Sequence, residues 1–228
     1  MKRIILSLLA AVLCLCVDAQ EHTPENDHVL VTLNDGSVVE GYIQTYWVSG
    51  SMFKRMNTEF TMSAKPDGND PVKYDADKVR SIDFVKKISS SGVYDHLESL
   101  PVANPSVLKP KRVRRQFVYK EGETESGTIY WWNGVDSQKM QLGKLNVSTI
   151  FGVRLAGDDT VVPFMSGSVI SLNALRIRYK KTNPELVDYV DQRILKGGKR
   201  LWDNIAANPM LFLEICDEYM ALKANKGN

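Results

Sequence analysis

From Val29 onward the chain alternates. Val29, Val31 and Leu33 recur at period two around Leu30 and Thr32, Asn34-Asp35-Gly36 interrupts them, and Val39, Gly41 and Ile43 resume the pattern. Two alternating runs about an Asn-Asp-Gly turn predict a β-hairpin. A three-residue loop with Gly36 left-handed sets Val39 opposite Val31 and Gly41 opposite Val29, whereas a two-residue loop would set Glu40 against Val31. Tyr46-Trp47-Val48, Met52 to Met62 and Val79 to Val85 predict further strands, and the polar stretch from Lys65 to Pro71 predicts a loop. Residues 89–112 hold Ser89-Ser90-Ser91-Gly92, Pro101, Pro105 and Pro110 and read as a linker, with one helical turn allowed within Val93 to Leu100.

The first pattern then recurs. A shift of 86 positions sets Gly36 on Gly122, Gly41 on Gly127 and Ile43 on Ile129, with aromatics following at Tyr46-Trp47 and at Trp131-Trp132. The four glycines are the positions a shared turn-and-bend backbone would require. Phe151 to Leu155, Thr160 to Phe164, Val169 to Leu172 and Leu175 to Tyr179 predict later strands, with Gly157-Asp158-Asp159 as a turn. The period changes after that. Asn183-Pro184 is a helix N-cap with proline in the first turn, and Leu186, Val187, Val190 and Ile194 follow at helical spacing. Gly197-Gly198 stops or bends that helix, and Asn208-Pro209 starts a last one whose stripe is Leu211, Phe212, Ile215, Tyr219 and Leu222.

The expected architecture is mainly β with C-terminal helices. Two related small β-barrels or rolls, 28–88 and 113–180, flank the linker 89–112, and the segment 181–228 supplies two or three capping helices. A helical segment with one apolar stripe must cover an open end or face of the β region.

The N-terminus sets the expected address. Lys2 and Arg3 precede an apolar run from Ile4 to Val17, and Val17-Asp18-Ala19 ends in a small residue before Gln20. That is the layout of a secretory signal peptide over 1–19, followed by a polar lead-in over 20–27. The run is shorter than the roughly 20 residues a membrane span needs. Leu13 and Leu15 precede Cys14 and Cys16 and are too bulky for a lipidation site, so both cysteines leave with the leader. Cys216 alone remains, within a helical apolar pattern, which excludes an internal disulfide framework. Losing Lys2, Arg3 and Asp18 lowers the 29 basic and 27 acidic residues by two and one, so the net charge of +2 falls to +1. That balance exerts no long-range pull on nucleic acid.

Catalytic signatures are sparse. The chain has no G-x-S-x-G elbow, H-E-x-x-H, C-x-x-C or Walker loop. His22 and His28 lie in or beside the lead-in, and His96 falls in the linker as the sole histidine a nucleophile could use. Glu121, Glu123 and Glu125 alternate on a hairpin, as on a solvated face, and Asp67-Gly68-Asn69-Asp70 lacks the spaced ligands of a calcium loop. No metal or cofactor is expected. The basic run from Lys109 to Arg115 suits a solvated linker first and an anionic lipid, lipopolysaccharide or acidic partner next. The aromatics are the most suggestive positions: Tyr46, Trp47, Tyr130, Trp131 and Trp132. Adjacent strand residues face opposite ways, so the Trp131-Trp132 pair is first read with one ring in the barrel core and the other under the C-terminal helices, and next with one ring exposed. Exposed rings stack on sugars or anchor protein interfaces.

The leader, with its basic start and Ala-Gln junction, resembles those of exported Bacteroidota proteins. The whole chain resembles exported families of that phylum, which implies an address and no activity. Val31-Thr32-Leu33-Asn34-Asp35-Gly36-Ser37-Val38-Val39-Glu40-Gly41-Tyr42-Ile43 is similar to the first motif of Sm-like small barrels, a strand, a turn glycine and a bend glycine. That resemblance implies a strongly bent sheet; the RNA-contacting motif of those proteins is not recognisable here. The expected function is a non-catalytic binding or assembly protein of the bacterial cell envelope, periplasmic, outer-membrane-associated or extracellular. Its partner would be a protein or glycan, with no nucleic acid. The rival is a carbohydrate-binding module or carbohydrate-active enzyme using the tryptophans with nearby carboxylates.

Overall fold

A computed structural model describes residues 27–45, 58–86, 95–103, 113–135 and 147–226. Among them eleven strands form one antiparallel sheet that is not closed, followed by three helices. In chain order the strands are β1 (His28–Leu33), β2 (Val38–Thr45), β3 (Glu59–Ser63), β4 (Val72–Asp75), β5 (Val79–Phe84) and β6 (His96–Ala103). They continue with β7 (Val113–Thr124), β8 (Gly127–Val135), β9 (Val147–Leu155), β10 (Val162–Ser166) and β11 (Val169–Ile170). The helices are α1 (Asn173–Tyr179), α2 (Pro184–Ala207) and α3 (Leu211–Lys226). The spatial order is β11-β10-β9-β8-β7-β6-β5-β1-β2-β3-β4, so β5 beside β1 is the one departure from a meander.

The first hairpin has the expected register: Val31 pairs with Val39 and Val29 with Gly41, and Gly36 takes φ +87° in the turn. Gly41 is a bend position. A Cβ there would stand 2.6 Å from the Ser63 carbonyl oxygen, because β2 passes close over β3. The second hairpin is built differently. Its turn is Glu125-Ser126, and Gly122 lies inside β7 opposite Ile129, at a bulge between Lys120 and Gly122. Gly122 is therefore not a turn glycine; it makes room for Met210, whose Sδ would lie 2.8 Å from a Cβ there. Gly127 does follow the turn, with φ +156° and the Arg154 carbonyl oxygen 2.3 Å from an added Cβ. The shift of 86 residues thus aligns a turn with a strand.

The segment expected as a linker contains a central strand. β6 pairs with β5 through Ser81 to Asp83 and with β7 from Leu97 to Ala103. Pro101 is tolerated because its carbonyl receives the Val161 N–H at 2.8 Å, so its ring nitrogen faces the side that β5 has already left. Leu175 to Tyr179, expected as a strand, lies in α1: Leu175 and Tyr179 are buried one turn apart and Ile177 points outward. The Asn183 N-cap is present, its side chain accepting from Leu186 N–H at 3.4 Å, and Gly198 bends α2 with φ +54°. Leu222, expected in the last stripe, is exposed.

Three groups of buried side chains hold the sheet. The first joins Val29, Val31, Ile43, Phe60, Met62, Val79, Ile82 and Phe84 to Leu97 and Phe117. The second joins Val102, Val118, Tyr130, Trp132 and Val161. Alternate residues of β6 and β7 feed these two cores: Leu97 and Phe117 point one way, Val102 and Val118 the other. The third and largest sets Ile129, Val153, Val162 and Phe164 against the helices, with Phe164 stacked on Phe212 at 4.3 Å between ring centroids. The sheet curls enough for Val161 to bridge Val102, and Ala103 N–H donates to the Val161 carbonyl at 2.9 Å.

Candidate functional site

Where the two halves of the sheet meet, the fold leaves an open cleft of about 710 Å³. Segments far apart in the chain line it: Thr58, the β4–β5 turn from Asp75 to Asp77, Pro101, the start of β7 from Val113 to Arg115, Asp159 with Thr160, and Arg178 of α1. The lining mixes guanidinium and carboxylate groups, so it offers donors and acceptors together.

Both walls are pinned from within. On one, Ser99 Oγ donates to the Ala76 carbonyl at 2.6 Å, tying β6 to the β4–β5 turn. Arg115 then donates through Nε to Ser99 Oγ at 3.3 Å and through Nη2 to the Ser99 carbonyl. On the other wall Arg178 grips Asp158 with Nε at 2.9 Å and Nη2 at 2.6 Å, a bidentate pair. Asp158 also accepts from Tyr179 Oη at 2.8 Å and from Thr160 N–H at 3.1 Å. Burial works against the Asp158 carboxylate, but the bonds from Arg178, Tyr179 and Thr160 outweigh it and hold the group well below the usual carboxylate range. Burial and the bond to Asp158 push the Tyr179 phenol up. Among the described residues, Nη1 of Arg115 and Nη1 of Arg178 carry no hydrogen bond, so each anchored guanidinium keeps donors to offer.

The aromatic positions singled out by sequence behave otherwise. Trp131 and Trp132 do face opposite ways, yet neither is open: they are 8% and 4% exposed. Trp131 stacks on Tyr119 at 4.3 Å, and Trp132 fills the second core. Both faces of β8 are covered, so both rings are buried and neither is offered to a ligand. Tyr130 is fully buried under Arg154, whose Cζ lies 5.1 Å from the ring centroid. Burial, then the Glu98 carboxylate, pushes its phenol up to about 12. Tyr46 and Trp47 lie outside the described residues.

The remaining candidates take local roles. His96 sits in β6, its Nδ1 2.6 Å from Asp83 Oδ1 on the facing strand, and His28 stacks on Tyr42 with Nε2 2.7 Å from Glu40 Oε1. His22, Cys14 and Cys16 lie outside the described residues. Glu121, Glu123 and Glu125 are exposed, and Lys120 pairs with Glu123 at 2.7 Å. Asp67 Oδ1 accepts from Asn69 N–H at 3.2 Å in a plain turn. Cys216 lies on the buried face of α3, and that burial pushes its thiol up to about 12. Among the described residues, no group of three or more His, Cys, Asp or Glu side chains is placed to hold a metal ion.

Sequence reasoning reached Asp158, Asp159, Arg114 and Arg115 but not Arg178, Asp75, Asp77 or Thr58. No local pattern marks those four, because only the fold brings the segments together. Comparison with protein-family models, with curated proteins and with solved structures finds no match, so the cleft is read from its own geometry.

Proposed function

We propose that this chain is an exported, non-catalytic binding or assembly protein of the bacterial cell envelope that seats its partner in the junction cleft. One observation carries the reading. The cleft is the place where segments from both halves of the sheet converge, and Arg115 and Arg178 in its walls are braced by internal bonds while retaining donors. Braced polar walls suit recognition, since little side-chain entropy is lost on contact. The leader over 1–19 supports the address. Within the same proposal the sheet is two small rolls sharing β6 and β7 as a common wall, a reading supported by the two separate cores and the Val102–Val161 bridge. The carbohydrate-active rival draws no support from Trp131, Trp132 or Tyr130, whose rings are buried.

Photo-crosslinking in intact cells tests the reading, with the reactive group at Val113 in the cleft and, as control, at Val38, which is 60% exposed beside the first turn. A discrete adduct from Val113 that Arg114→Glu removes, and none from Val38, is the expected result. Equal labelling from both positions would sink the assignment of the cleft.

A further inference from the structure

The outer surface of α2 carries a second feature, separate from the cleft. Around the Gly198 bend the sequence runs Leu195-Lys196-Gly197-Gly198-Lys199-Arg200-Leu201-Trp202. Leu195 is 70% exposed and Trp202 38%, both among the large apolar side chains that face solvent. Lys196, Lys199 and Arg200 stand exposed between them, and no carboxylate occurs from Gln192 to Trp202. The nearest acids on the helix are engaged: Asp191 pairs with Arg176 at 2.7 Å and Asp203 with Lys199 at 2.6 Å. Arg193 is held by Glu218 at 3.0 Å, whereas Lys196 and Arg200 have no ion pair among the described residues.

We propose that this stretch is a peripheral attachment surface for an anionic lipid bilayer. An exposed leucine and tryptophan flanking a cluster of cations is the arrangement that inserts apolar groups at headgroup depth while the charges meet lipid phosphates. Trp202 suits that depth because its ring is amphipathic. The apolar contribution alone is small, so attachment is reversible and requires the charges. No helix among the described residues is long and apolar enough to cross a membrane, so contact through α2 is lateral. The cations also select the occupant, since an apolar protein face would leave Lys196 and Arg200 desolvated without a counter-charge.

The test is vesicle flotation of the chain starting at Gln20, which retains every described residue and excludes the apolar run at 4–17. Vesicles are phosphatidylcholine alone or mixed equally with phosphatidylglycerol. Binding to the mixed vesicles only is expected, weakened about tenfold or more by Lys196→Glu/Lys199→Glu/Arg200→Glu and about tenfold by Leu195→Ser/Trp202→Ser. Thermal melts should match wild type, because all five side chains are exposed. No flotation, equal binding to neutral vesicles, or wild-type binding by either variant would overturn the proposal. So would displacement by soluble glycerol phosphate, which would assign the cations to a free phosphate instead. Cross-linking at Val113 reads the cleft independently, so failure of one leaves the other standing.

Discussion

The two ends of the sheet bury their apolar side chains by different means. At the β1–β5 end the strands curl over one another, and the first core is filled from strands and their turns alone. At the β8–β11 end the sheet stays open toward the helices, and Phe212, Leu213, Ile215 and Cys216 of α3 complete the third core. Curling at the first end is aided by the short return of β5 to β1 and by the bulge at Thr32 and Leu33. The four antiparallel strands β8–β11, in a row with no such return, leave a face that only another layer can cover. A sheet can therefore close one core by topology and another by recruitment within one chain.

The largest expected effect comes from removing the recruited layer's anchor. Phe212→Ala deletes a ring that is 1% exposed and stacked on Phe164, and should cost about 3–5 kcal/mol in urea unfolding. Hydrogen exchange should show lost protection in α2, α3 and β8–β10 with β1, β2 and β5 unchanged; uniform loss would break the contrast between the ends.

A smaller, paired effect probes the wall between the cores. Phe117→Ala should cost about 3 kcal/mol and open β1–β3 first, because Phe117 packs edge-on to Phe60 at 5.5 Å. Val118→Ala, one residue on, should cost about 2 kcal/mol and open β8 and the Val161 segment first. The same exchange pattern from both variants would show that β7 does not serve two cores.

The least costly variant is Asp158→Asn, at about 1 kcal/mol, because it leaves Arg178 partly unpaired at a partly buried site where solvent still reaches the guanidinium. The carboxylate is held below its ordinary 3.8, so its contribution is complete at neutral pH and lost as pH falls between roughly 5 and 1. Urea midpoints at neutral and acid pH should converge for variant and wild type as the pH drops. A constant gap would mean that the Asp158 charge is not what braces this wall.

The first hairpin was legible to the residue because one buried face and one turn glycine determine its register. β6 was not, because both of its faces are buried and such strands do not alternate: Leu97 serves one core while Leu100 and Val102 serve the other. Its proline argued further against a strand, and only the neighbouring β5 stopping short makes that proline acceptable. α1 misled in the opposite direction, since Leu175, Ile177 and Tyr179 alternate by chance over a single turn and a half of helix. The tryptophan pair was read correctly as facing two ways, and the burial of both rings rests on layers whose identity no local pattern announces. The cleft was illegible for the same reason.

Strands β6 and β7 carry one further consequence. Because each of their faces belongs to a different core, rotating one half of the molecule against the other would shear two packed interiors at once. Ala76 is bonded to β6 through Ser99, and Val161 is bonded to it directly, so both walls of the cleft hang from the same strand. Among the described residues, the junction proposed to seat a partner is therefore braced from both sides. A partner should meet a finished surface, associating in a single kinetic step whose rate follows its concentration and whose lifetime is set by dissociation alone.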